Sequence, residues 1–106
     1  MSEHTLDRLF ATIVSRKGGD PQTSYTAKLL MQGVERCAKK FGEEAVETAL
    51  AAVSGDKTAT VSESADVLYH LLVLWAAAGV EPAEVYEALR AREGRSGHDE
   101  KAARKK

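Results

Sequence analysis

This 106-residue sequence predicts an all-α fold, a compact bundle of about five helices, on three observations. Alanine and glutamate are abundant, while only six residues are aromatic and two are proline, a balance that favours helices over strands. Apolar residues recur at intervals of three and four through most of the chain. No stretch alternates apolar and polar residues as a half-buried strand would, and there is no internal repeat.

Leu6, Leu9, Phe10, Ile13 and Val14 mark the first helix, which stops at Lys17-Gly18-Gly19-Asp20-Pro21. Ser24 is suited to cap a short second helix containing Tyr25, Leu29 and Leu30. A longer third helix spans about 33–53, with Val34, Cys37, Ala38, Phe41, Ala45, Ala49, Ala52 and Val53 as its apolar stripe. Ser54-Gly55-Asp56 ends it, Gly55 being able to take a left-handed C-terminal cap. The fourth helix starts at Lys57 or Thr58 and continues to Gly79. From Val67 onward it is apolar on every side, which predicts burial all round, against a second subunit as well as its own core. Glu81-Pro82 opens a last helix that ends near Arg92, proline being tolerated in a first turn. Residues 1–93 thus read as one domain, and 94–106 as a basic tail, mobile unless a partner orders it.

Hydrophobic residues make up 43% of the chain and charged residues 29%, an ordinary globular balance. Cys37 is alone, so it forms no internal disulfide and no thiol metal framework. The N-terminal MSEHTLDRL is unlike a secretion signal, and the longest nearly apolar run, 67–80, is too short for a membrane span and is interrupted by Tyr69 and His70. A cytoplasmic protein without a membrane partner is expected. Net charge is −1 but unevenly placed: residues 1–89 carry −5 and residues 90–106 carry +4. The acidic body argues against nucleic acid as a partner, since phosphate backbones need a basic footprint.

Part of that acidity is patterned. Glu44 and Glu47 share a face of the third helix, and Glu63 and Asp66 share a face of the fourth. Taken singly, each pair is also what a solvated helix surface carries. The turn between the helices is short, so they should be antiparallel neighbours. Counted from the turn, the two pairs fall within roughly 1.5 Å of the same height at a rise of about 1.5 Å per residue. Four carboxylates can therefore converge on one seam, with Glu44 just outside the apolar stripe. Such like charges repel unless a cation intervenes. Magnesium combines carboxylates with water and substrate phosphates, and a cluster of this size has room for more than one ion.

Lys40-Phe41-Gly42-Glu43-Glu44-Ala45-Val46-Glu47, followed by Glu63-Ser64-Ala65-Asp66-Val67-Leu68-Tyr69-His70, resembles the EExxE…ExxD signature of the MazG-type all-α nucleoside triphosphate pyrophosphohydrolases. Within that superfamily, Ser24-Tyr25-Thr26-Ala27-Lys28-Leu29-Leu30, the block around Glu43, the run Ala65-Asp66 through Leu72, and Ser96-Gly97 through Glu100-Lys101-Ala102 resemble the phosphoribosyl-ATP pyrophosphatase family. The similarity extends over about residues 6–104. Phe41 and Ser64 stand where the family pattern has aliphatic residues and His98 where it has an apolar one. The resemblance implies hydrolysis of 1-(5-phosphoribosyl)-ATP to the monophosphate and pyrophosphate, the second step of histidine biosynthesis. It also implies a homodimer, with magnesium on Glu44, Glu47, Glu63 and Asp66.

Around these ligands the candidates have competing structural explanations. Lys40 and Lys28 are candidates for substrate phosphate, Lys28 favoured by the resemblance and Lys39 a similar case, yet Lys40 can equally pair with Glu44 one turn on. Ser24 and Tyr25 are candidates to contact substrate, and capping and packing explain them as well. Glu43 could be a peripheral ligand, position the attacking water, or be solvated surface. His70 reads as a buried, hydrogen-bonded structural histidine ahead of a ligand or base, and Trp75 as core or interface. Two rivals stand beside the expected activity: a house-cleaning pyrophosphohydrolase of free nucleoside triphosphates, and a non-enzymatic helical interaction module.

Overall fold

The computed structural model describes residues 4–94, and within them the chain forms five helices and no strand. These are α1 (Thr5–Ser15), α2 (Tyr25–Gln32), α3 (Val34–Val53), α4 (Lys57–Ala78) and α5 (Pro82–Arg92). All but one residue of the expected basic tail lie outside the described residues.

Local chemistry sets the helix ends. The Ser24 hydroxyl accepts from the Ala27 amide at 3.1 Å and caps α2. Gly33, at φ 93°, separates α2 from α3 in a conformation that a side chain would resist. Asp56 caps α4 by accepting from the Ala59 amide at 2.9 Å. Glu81 and Glu84 form a reciprocal capping box at the start of α5, with Pro82 in the first turn.

The long helices α3 and α4 make an antiparallel hairpin. Thr48 of α3 meets Glu63 of α4, while Cys37, eleven residues earlier, packs in one cluster with Leu72 and Val73. Phe10 and Ile13 of α1 and Leu29 of α2 complete that cluster, so the core sits at the end of the hairpin remote from the Gly55 turn. Cys37 Sγ donates to the Leu29 carbonyl at 3.3 Å, and burial pushes its thiol pKa up, leaving an inert core group. The helix α5 is tied to α1 by the Tyr86 hydroxyl, which donates to Asp7 at 3.0 Å.

One expectation about packing is corrected. The face that α3 turns to α4 runs through Cys37, Lys40, Phe41, Glu44, Ala45, Thr48 and Ala51, whereas Ala38, Ala49, Ala52, Val34 and Val53 are exposed. The helix is rotated from the stripe read in sequence because alanine buries too little surface to dictate which side faces inward. Within this single chain α4 is not buried all round: only His70, Leu72 and Val73 are, and Leu68 is 42% exposed. The helices α1 and α2 cover one end of the hairpin and leave Val46, Leu50 and Val61 in the open at the other.

Candidate active site

The rotation of α3 carries Glu44 into the seam with α4. There one carboxylate oxygen each from Glu44, Glu63 and Asp66 lies within 4.8 Å of the others. Thr48 fixes the register: its hydroxyl oxygen lies 2.8 Å from the Glu44 carbonyl and 3.0 Å from the Glu63 carbonyl. One O–H shared between two helices thus pins the two backbone positions from which two of the carboxylates project. Glu47, one residue before, is exposed and stands outside the 4.8 Å group, but its charge is felt by both Glu44 and Glu63.

Electrostatics at the seam are unfavourable without a counterion. Desolvation, followed by the charges of Glu47, Asp66 and Glu63, raises the Glu44 pKa above its ordinary value. Desolvation and then the charges of Glu47 and Asp66 raise that of Glu63. Among the described residues no cationic side chain forms an ion pair with Glu44, Glu63 or Asp66. The ammonium that could have done so, Lys40, instead donates to Glu43 at 3.2 Å, not to Glu44 as the one-turn spacing suggested. The reason is that Glu44 faces α4 while Glu43 lies exposed on the outer side, within reach of the lysine. This hydrogen bond raises the Lys40 pKa and lowers that of Glu43. Three or four clustered carboxylates with no cation of their own fit the donor set of a hard divalent ion.

Beside the seam lies an aromatic cluster. Tyr25 of α2 stacks on Tyr69 of α4 with centroids 6.5 Å apart and planes at 23°. Tyr69 shares a hydrogen bond with Thr26 through its hydroxyl, an arrangement not legible in the sequence. His70 meets both tyrosine rings edge-on, at 6.1 and 5.0 Å. It is buried, as expected, and burial followed by the nearby Lys40 charge lowers its pKa. The expectation of a hydrogen-bonded histidine is corrected at one atom: Nδ1 is buried with no partner. Lys28 is exposed on α2, and Trp75 packs partly buried against the core.

Thr48 is the residue that sequence reasoning missed. Its signal was a β-branched hydroxyl in an alanine-rich helix, four residues after Glu44, where helix propensity alone would place another alanine.

A model of the family described as phosphoribosyl-ATP pyrophosphohydrolase matches residues 6–93. The phosphoribosyl-ATP pyrophosphatase of Azospirillum brasilense is 63% identical over 105 residues, covering 99% of this chain and 95% of that protein. Its namesake from Parvibaculum lavamentivorans is 66% identical over 99 residues, covering 93% of this chain and 91% of the relative. That of Paracoccus denitrificans is 59% identical over 100 residues, covering 94% and 93%. The match takes in α1 to α5 with both halves of the carboxylate seam, and the chain belongs to the phosphoribosyl-ATP pyrophosphohydrolase family.

Proposed function

We propose that this chain hydrolyses the α–β phosphoanhydride of 1-(5-phosphoribosyl)-ATP, giving 1-(5-phosphoribosyl)-AMP and pyrophosphate, the second step of histidine biosynthesis. The observation that carries the chemistry is the convergence of Glu44, Glu63 and Asp66 across the α3–α4 seam. The family, with relatives named for this activity along nearly their whole length, supports the substrate.

Glu44, Glu63 and Asp66, with Glu47 at the rim, would hold magnesium, with room for more than one ion. Bound there, the ion supplies Lewis-acid polarisation of the phosphates and a lowered pKa for the attacking water. The protein's own part is positional. Thr48 keeps the carboxylates in register, and Glu43 holds the Lys40 ammonium beside them. Lys40, released from Glu43, is the nearest cation for a substrate phosphate, and Glu43 so freed can orient the attacking water. Ser24, Tyr25 and Lys28 present the start of α2 to the remaining parts of the substrate. No covalent nucleophile is involved, and Cys37 is sealed in the core.

The functional unit is a homodimer, supported by the large apolar side chains left open along the hairpin. No helix among the described residues is long and apolar enough to cross a membrane, and a biosynthetic role supports a cytoplasmic enzyme. The deciding experiment is pyrophosphate release from phosphoribosyl-ATP and from free nucleoside triphosphates, each with magnesium and with chelator. Metal-dependent release with phosphoribosyl-ATP preferred is the expected outcome. Preference for free triphosphates would transfer the chain to house-cleaning chemistry, and no release from either would leave a non-enzymatic module.

A further inference from the structure

Tyr25 is so far given only a general contact with substrate and Tyr69 and His70 none, and three features of the cluster point to a ligand. Tyr25 is 51% exposed although its ring is stacked from behind by Tyr69. Tyr69 is anchored in turn by the hydrogen bond between its hydroxyl and Thr26. His70 closes the side of the cluster, and its Nδ1, in a residue more than nine-tenths buried, lacks a partner. Buried polar atoms are nearly always satisfied, so this nitrogen calls for a partner, an ordered water or a ligand group.

The position of the cluster narrows what that group is. Lys40 lies within electrostatic reach of Tyr25 and His70 on one side and of Glu44 on the other. A molecule spanning this stretch would place phosphate by the lysine and carboxylates and a flat, unsaturated portion against Tyr25. Nucleobases stack on tyrosine because both present extended π faces. A base edge also offers donors and acceptors that an ordered water can relay to the covered imidazole nitrogen.

We propose that Tyr25, backed by Tyr69 and flanked by His70, seats the purine base of the nucleotide, with its phosphates directed toward Lys40 and the carboxylate seam. The assignment rests on the proposed hydrolysis for the identity of the nucleotide, and it can fail separately. Trp75, the other large aromatic group, packs against the core and has no part in the seat.

The test uses the full-length protein in magnesium buffer, titrated by calorimetry with AMP and, separately, with inorganic pyrophosphate. Tyr25→Leu should weaken AMP binding by between roughly 5-fold and 150-fold, the range for loss of one base–aromatic stack, and His70→Phe by between roughly 2-fold and 10-fold, the range for loss of one hydrogen bond. Pyrophosphate binding should be unchanged, and Tyr25→Phe should recover most of the AMP affinity lost in Tyr25→Leu. Wild-type AMP affinity in either folded variant overturns the proposal, as does equal loss of AMP and pyrophosphate. Dissociation of subunits by Tyr25→Leu without change in AMP affinity overturns it too, since the exposed ring would then serve an interface. Circular dichroism establishes folding; if His70→Phe unfolds, the exposed Tyr25 decides alone. A wild-type protein that releases pyrophosphate from no nucleotide would sink the hydrolysis, while the contrast between AMP and pyrophosphate would still decide the seat.

Discussion

The hydroxyl of Thr48 on α3 reaches the backbone carbonyl of Glu63 on α4 at 3.0 Å, and it does so at the height of the carboxylates. Most helical threonines bond only their own preceding turn, as this one also does to Glu44 at 2.8 Å. The second acceptor makes it a bolt between the two helices that carry the site. Thr48→Val keeps the shape and removes the bolt, which should cost about 1 kcal/mol. For a domain of this size that is a fall in Tm of roughly 4–8 °C. A higher magnesium requirement for turnover should accompany it, because Glu44 and Glu63 lose their register. An unchanged melting curve and magnesium titration would show that the contact is incidental.

The carboxylates themselves give the sharpest expectation. Glu63→Gln and Asp66→Asn each remove a charged oxygen from the group that converges within 4.8 Å, and each should abolish pyrophosphate release while leaving the helical circular dichroism intact. Glu47 lies at the rim, yet its charge reaches Glu44 and Glu63, so Glu47→Gln should also be inactive. Near-normal magnesium-dependent activity in Glu47→Gln would confine the site to the other three.

The convergence of Glu44, Glu63 and Asp66 was readable in advance because helix geometry is regular, whereas Glu47, expected with them, stands outside their group. Equal distances from the Gly55 turn were enough to bring Glu44 opposite Glu63 and Asp66. Helix ends were equally legible, since Ser24, Asp56 and the Glu81-Pro82 pair cap by local chemistry that neighbours do not alter. Rotation about the α3 axis was not. Its stripe is largely alanine, which has little surface with which to choose a side, so contacts with α4 chose Cys37, Glu44 and Thr48. The partner of Lys40 followed from that rotation, since turning Glu44 inward left Glu43 to the ammonium. The Thr26–Tyr69 contact and the open valence of His70 depend on how α2 lies on α4, which no spacing rule specifies.

Charge repulsion in the seam should be visible as a pH dependence of stability. Desolvation and neighbouring acids raise the Glu44 pKa, so the folded state holds that proton more tightly than the unfolded chain does. Its favourable contribution is therefore full below the ordinary carboxylate value and is lost as pH rises through the raised one. At neutral pH without metal, Glu44→Gln should be more stable than wild type, by less than about 1 kcal/mol because water still screens the site. The difference should vanish as pH falls below the ordinary value of 4.5. Saturating magnesium should reverse the order, since it stabilises only a protein that binds it. A wild-type protein as stable as the variant at neutral pH in chelator would show that the acids do not strain one another.

Apolar exposure predicts assembly. Val46 and Leu50 are 59% and 63% exposed on one face of α3, and Val61 and Leu68 are 63% and 42% exposed on α4. The apolar stretch from Val67 onward was expected to meet a second subunit; between 68 and 75 only Leu68 is exposed, while His70, Leu72 and Val73 lie in the chain's own core. Replacing Leu68 by Glu would set a charge in a desolvated contact, which costs far more than the leucine contributes. Light scattering at micromolar concentration should give a dimer for wild type and a monomer for Leu68→Glu. A monomeric wild type would remove the homodimer from the proposed function.

Substrate discrimination calls for cations, and the body of the protein has few to offer. Phosphoribosyl-ATP carries a terminal ribose phosphate that ATP lacks, remote from the phosphoanhydride. Near the seam, Lys40 is engaged by Glu43, and Lys28 is exposed on the neighbouring α2. The remaining reservoir is the part of the +4 segment 90–106 that follows Arg92, with five basic and three acidic side chains, where Ser96-Gly97 and Glu100-Lys101 are more patterned than a solubilising end requires. If this segment supplies the cations for the terminal phosphate, truncation after Arg92 should raise KM for phosphoribosyl-ATP and leave kcat, magnesium binding and subunit mass nearly unchanged. The effect should be moderate, because a segment that orders on binding offsets part of its contacts with lost entropy. The same truncation should not affect KM for ATP, which has no second ribose phosphate to lose. Equal effects on both substrates would assign the tail to general charge attraction, and an unchanged KM for phosphoribosyl-ATP would leave recognition to Lys28 and Lys40 alone.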